Sequence, residues 1–97
     1  MEADDPVIRQ LREQISDNDR ELVKSLNRRL ELVQKIKRYK ESRGLPFVDR
    51  SREEWMLQDL ARANRGPLSG DGLRGIFAEI FELTKDEAAR SERVGDG

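Results

Sequence analysis

The chain has 97 residues, with 19 Lys and Arg against 20 Asp and Glu, and neither Cys nor His. That excludes disulfides, thiolate chemistry, Ser-His triads and the usual zinc sites, and leaves any chemistry to Arg, Lys, Asp, Glu, Ser and Thr. Charged residues are 40% and hydrophobic ones 35%, a balance that reads as disorder unless the apolar residues are periodic.

They are periodic, so amphipathic helices are expected. A net charge of −1 gives no reason to expect nucleic acid as a partner. No apolar run has the length of a signal peptide or a membrane span, so no membrane is expected and the cytoplasm is the default location. The charge is uneven: residues 8–43 hold 11 Lys and Arg and 6 Asp and Glu. The basic stretch and the acidic remainder are expected to complement each other in the fold.

Residues 1–7 read as a flexible lead-in, with Pro6 suited to a first helical turn. From Ile8 to Arg43 there is neither Pro nor Gly, and Ile8, Leu11, Ile15, Leu22, Leu26, Val33 and Ile36 recur at helical spacing. A helix over this stretch is roughly 54 Å long, more than the diameter of a compact domain of this size. It therefore cannot bury its stripe against its own chain alone. The stripe is interrupted by cations. Stepping about 100° per residue from Leu11, Arg29 falls near 0° and Lys40 near 20°, with Arg12 at the edge near 100°. Buried Lys and Arg ask for anions, from the protein or from a ligand.

Gly44-Leu45-Pro46 ends the long helix, and residues 47–50 form a short extended connector. Ser51, with Glu54 one turn on, reads as the capping box of a second helix, about 52–64, whose apolar face is Trp55, Met56, Leu60 and Ala63. Arg65-Gly66-Pro67 closes it. Ser69 or Asp71 caps a third helix, about 70–90, with Leu73, Ile76, Phe77, Ile80, Phe81 and Thr84 on one face. The period is lost beyond Ala89, and residues 93–97 are expected to be a disordered tail. The expectation is thus one all-α domain, residues 8–92, of one long, one short and one medium helix. Two copies packing their long helices would bury the stripe. A simple coiled coil is the rival, but Asn18, Ser25, Arg29 and Lys40 break the heptad.

Seven polar residues face inward or sit at helix junctions: Arg12, Arg29, Lys40, Asp49, Arg52, Glu53 and Thr84. Arg29 and Lys40 are roughly 16 Å apart along the axis, close enough for both side chains to converge on one small ligand. Arg suits a bidentate grip on a carboxylate and Lys donates to a single oxygen, so the set would want about two negative charges. Each residue also has a plain structural reading. Arg29 can pair with Glu53, Lys40 can snorkel off the helix end, Arg52 and Glu53 can be ordinary first-turn residues, and Thr84 can bond its own helix. Spacing does not decide between them.

The ordered set resembles a known family. Leu11-Arg12-Glu13 with Ile15 and Asp19, then Arg29, Lys40, Pro46, Asp49 and Arg52-Glu53, resembles the all-helical (AroQ-class) chorismate mutases without a gap from Leu11 to Leu60. The run Ile76 to Phe81 is similar to their third helix. The resemblance implies an intertwined homodimer of three-helix subunits whose two active sites use residues of both chains. It implies an isomerase of the shikimate pathway that rearranges the dianion chorismate to prephenate for Phe and Tyr biosynthesis, with no cofactor and no metal. Carried across, Arg12 of the partner subunit and Arg29 hold the substrate carboxylates. Lys40 donates to the breaking ether oxygen and to a carboxylate. Glu53 binds the ring hydroxyl, Asp49 contributes through its backbone, Arg52 supports the pocket from the loop side, and Thr84 stands where the family often has Ser. One position departs: the family usually has Gln or Glu four residues after that hydroxyl, and here it is Ala88. Glu87 lies about 100° round the helix and would have to be protonated to donate. Alternatives are a weak or non-catalytic helical dimer that works with a shikimate-pathway partner enzyme, an isochorismate–pyruvate lyase, and an aminodeoxychorismate mutase.

Overall fold

The computed structural model describes residues 5–95, with side chains to Arg90. Among them are three helices and no strand: α1 Pro6–Ser42, α2 Arg50–Ala63 and α3 Gly70–Gly95. None is long and apolar enough to cross a membrane. Residues 1–4 of the expected lead-in and 96–97 of the expected tail lie outside the described residues.

α1 begins two residues earlier than the apolar stripe suggests, because Asp5 caps it. Its carboxylate accepts from the Val7 and Ile8 amides at 2.9 and 3.3 Å, and Pro6 takes the first helical position. At the other end Leu45 N donates to the Lys40 carbonyl at 2.8 Å and Gly44 N to that of Glu41 at 3.2 Å. This paired closure needs a left-handed residue between helix and connector, and Gly44 supplies it with φ +69°.

The second helix is capped by Asp49, not by Ser51. The extended connector ends at Asp49 (φ −133°, ψ 97°), and its carboxylate accepts from the Arg52 amide at 3.1 Å. Ser51 is already inside the helix and donates its hydroxyl to the same carboxylate at 3.2 Å. Met56 and Leu60 are half-buried as expected. Trp55 and Ala63 are not: both are exposed, Trp55 to 47%, and the Arg52 guanidinium lies 4.3 Å over the Trp55 ring.

Ser69, rather than Asp71, caps α3, its hydroxyl accepting from the Gly72 amide at 3.0 Å. The helix runs on to Gly95, past the residue where its apolar period fades. α3 is the element that joins the other two, packing on both α1 and α2. Leu73, Phe81, Thr84 and Ala88 are buried along one face of it, while Ile76 lies at the exposed edge.

The result is an open, elongated chain of 59 × 36 × 15 Å. Its radius of gyration is 17.7 Å, against about 12.5 Å for a compact chain of this length. α1 has no buried residue. Leu11, Ile15 and Leu22 are 52%, 59% and 53% exposed. α3 covers only the portion of α1 around Arg29 to Lys40, where the half-buried positions gather.

The cap assignment is testable. The Arg52 amide bond holds the Asp49 carboxyl below the ordinary aspartate range, so its stabilisation is complete above an unfolded-state pKa of about 3.9 and is lost as pH falls through the lower folded value. Asp49→Ala is expected to lower the thermal midpoint at pH 7 more than Ser51→Ala does. The gap between wild type and Asp49→Ala should narrow in melts below about pH 4. An equal or larger loss from Ser51→Ala would return the cap to Ser51.

Candidate active site

The C-terminal half of α1, the connector, the start of α2 and the middle of α3 line an open cavity of about 700 Å³. Leu32, Val33, Ile36, Phe47, Val48, Met56 and Phe81 give it apolar walls. Six of the seven residues singled out from the sequence line it: Arg29, Lys40, Asp49, Arg52, Glu53 and Thr84. The seventh, Arg12, does not. It sits 17 residues before Arg29 on the same helix, about 26 Å along the axis.

Arg29 projects from the apolar stripe of α1 toward α3. Its Nη1 donates to the Thr84 hydroxyl at 2.5 Å, and its guanidinium lies 4.9 Å over the Phe81 ring. Burial lowers its pKa and the nearby charge of Glu53 works the other way; a guanidinium stays protonated in either case. Arg29 does not pair with Glu53 as the structural reading of the sequence allowed. Among the described residues no carboxylate forms an ion pair with it. Its partners are a neutral hydroxyl and a π face, which orient the cation without neutralising it.

Lys40 does not snorkel away. Its Nζ donates to the carbonyl of Phe47 at 3.2 Å, tying the last turn of α1 to the connector. Thr84 is 5% exposed and, besides accepting from Arg29, bonds the carbonyls of Ile80 and Phe81 of its own helix at 2.8 and 3.2 Å. Its hydroxyl thus serves the helix and Arg29 together. Asp49 turns its carboxylate into the α2 cap, and its carbonyl accepts from the Glu53 amide at 3.2 Å. Arg52 is stacked on Trp55 at the cavity rim. Ala88, one turn beyond Thr84 on the same face, is 1% exposed and offers no donor.

Glu53 has a partner that the sequence did not reveal. Lys85 Nζ lies 2.8 Å from Glu53 Oε1 and 2.9 Å from Glu82 Oε1. The Glu82–Lys85 spacing is legible as a helical pair, but only the packing of α2 on α3 brings Glu53 to it. These two hydrogen bonds raise the Lys85 pKa, the Glu53 bond contributing most, and the residue stays a cation. The cavity lining holds five cationic side chains, Lys35 and Lys85 included, and two carboxylates. Both carboxylates are engaged by the protein, so the site's surplus is positive. It suits a small, compact dianion with an apolar body.

The model of the family "Chorismate mutase type II" matches residues 11–88. Among solved structures, form II of the chorismate mutase of Thermus thermophilus aligns with a TM-score of 0.82 at 38% identity, covering 86% of this chain and 94% of that one. Form I of the same enzyme aligns with a TM-score of 0.78 at 39% identity, covering 79% and 96%. No curated protein sequence matches. With the family match spanning most of the chain, the alignment with those structures covering most of both chains, and the spaced cations gathered at one cavity, this chain belongs to the type II chorismate mutases.

Proposed function

We propose that the cavity is one active site of a homodimer that rearranges chorismate to prephenate, completed by Arg12 of the second subunit. In this reaction one C–O bond breaks as one C–C bond forms, in a single cyclic movement of electrons inside the substrate. No nucleophile, proton transfer or redox step is asked of the protein. Its task is to hold the compact reactive conformer and to stabilise charge growing on the ether oxygen. A chain without His or Cys has the groups for both.

The observation that carries this reading is that Arg29 and Lys40 face one cavity and neither is ion-paired among the described residues. Arg29 holds one carboxylate, oriented by Thr84 and Phe81. Lys40 exchanges the Phe47 carbonyl for the ether oxygen and a carboxylate. Glu53 accepts from the ring hydroxyl, Asp49 contributes its backbone beside it, and Arg52 closes the loop side. With alanine at position 88, donation to the ether oxygen leans on Lys40.

The exposed face of α1 supports the second subunit in this reading. Its apolar stripe is exposed, and an antiparallel copy would cover it. A two-fold axis at the middle of Pro6–Ser42, near Lys24, sets residue 12 opposite about residue 36 of the other chain. That lies between Arg29 and Lys40, within reach of the cavity.

Two measurements test this. Incubation with chorismate should deplete its ultraviolet absorbance and yield prephenate, and Lys40→Ala should lower kcat by about 10²–10³-fold, the scale for losing one transition-state donor. Turnover that survives Lys40→Ala intact would count against the site. Separately, Arg12→Ala and Arg29→Ala chains should each be inactive alone. Unfolded and refolded together, they should recover about a quarter of wild-type activity, since half of randomly assorted dimers are mixed and each mixed dimer has one intact site. No recovery would place Arg12 outside the shared site.

A further inference from the structure

Glu53 stands between two cations on different helices, Arg29 of α1 and Lys85 of α3. It feels the charge of Arg29, yet it makes its hydrogen bond to Lys85. The choice matters. A carboxylate that swung across to Arg29 would neutralise the guanidinium needed for an anionic ligand, and would withdraw its own acceptor from the cavity. The arrangement that prevents this is asymmetric. The Lys85 side chain is 22% exposed and that of Glu53 26%, whereas Glu82, the other partner of Lys85, is 68% exposed. Glu82 sits one helical turn before Lys85 and steadies the ammonium from the solvent side. The inner contact, to Glu53 Oε1, is the one that spans two helices, and it leaves Oε2 for a hydroxyl donor.

We infer that Lys85 is a positioning residue: through its ion pair with Glu53 it aims the carboxylate that receives the substrate's ring hydroxyl and keeps that carboxylate off Arg29. The inference rests on the reading of Glu53 as a substrate ligand given above. It assigns Lys85 no contact with substrate. Its effect on the reaction passes wholly through Glu53, and it depends on a cation at this place rather than on the bulk of the side chain.

A double-mutant cycle decides it. Lys85→Met keeps length and apolar contact and removes the charge. It should lower kcat/KM about tenfold, the loss of one charge-assisted hydrogen bond, with the thermal midpoint moved by only a few degrees. Lys85→Arg should restore most of the activity. In a Glu53→Gln background the same Lys85→Met change should alter kcat/KM by less than about twofold, because the group it acts through is gone. Calorimetric affinity for prephenate, which retains the ring hydroxyl, closes the same cycle if turnover in the doubly substituted enzyme is too slow to follow. A tenfold loss in both backgrounds would overturn the inference by showing that Lys85 acts on the ligand or the fold directly. Wild-type activity in Lys85→Met would overturn it too. Full activity in Glu53→Gln would sink the reading of Glu53 first, and this inference with it.

Discussion

Most of what is distinctive here follows from one constraint: α1 is too long for the chain that carries it. α3 covers only the part of α1 around Arg29 to Lys40, and that part becomes a wall of the cavity. The rest of the stripe, Leu11, Ile15 and Leu22 among it, stays half-exposed. An apolar helical face of that length favours association, because removing it from water stabilises by about 25 cal/mol per Å². The same helix therefore packs one half against its own chain and leaves the other half exposed.

The cavity itself is built on keeping cations available. A half-buried guanidinium is ordinarily stabilised by a carboxylate, and such a pair is electrically closed to ligands. This chain gives Arg29 a hydroxyl and an aromatic ring instead, and gives Lys40 a backbone carbonyl. The two carboxylates nearby are diverted, Asp49 to the end of α2 and Glu53 to Lys85. Neutral partners orient without cancelling. The cavity lining is left with a positive surplus.

How much of this is legible in the sequence depends on the range of the interaction. Helix number and order, the Gly44 stop and the placement of Arg29 and Lys40 on one face follow from periodicity, which is local. Caps are less secure. Ser51 with Glu54 satisfies the capping pattern, but the backbone becomes helical earlier and Asp49 takes the role. Trp55, an apolar residue at a plausible core position, is drawn outward where Arg52 stacks on it. Lys85 escapes a reading of the sequence because its defining neighbour is 32 residues away in the chain, and nothing in the spacing of α3 marks it apart from any other surface lysine. Arg12 is the converse case. The sequence pattern singles it out, yet the fold of the chain leaves it far from the cavity.

The corner between α1 and α2 has a consequence for how such a chain can vary. Lys40, Asp49, Arg52 and Glu53 all come from one stretch of 14 residues. That stretch is fastened at one end by the Gly44 closure and at the other by the Asp49 cap, and Lys40 is bonded to its middle. The corner acts as a ruler. Its two fastenings and the bond from Lys40 fix where the start of α2 sits relative to the end of α1, and an inserted residue would have to break one of them or bulge outward. The link from Asn64 to Ser69 carries no cavity residue. A change of length is therefore absorbed more readily in the second link, whose own residues make no cavity contact, than in the first, where it must undo a bond that holds a cavity residue.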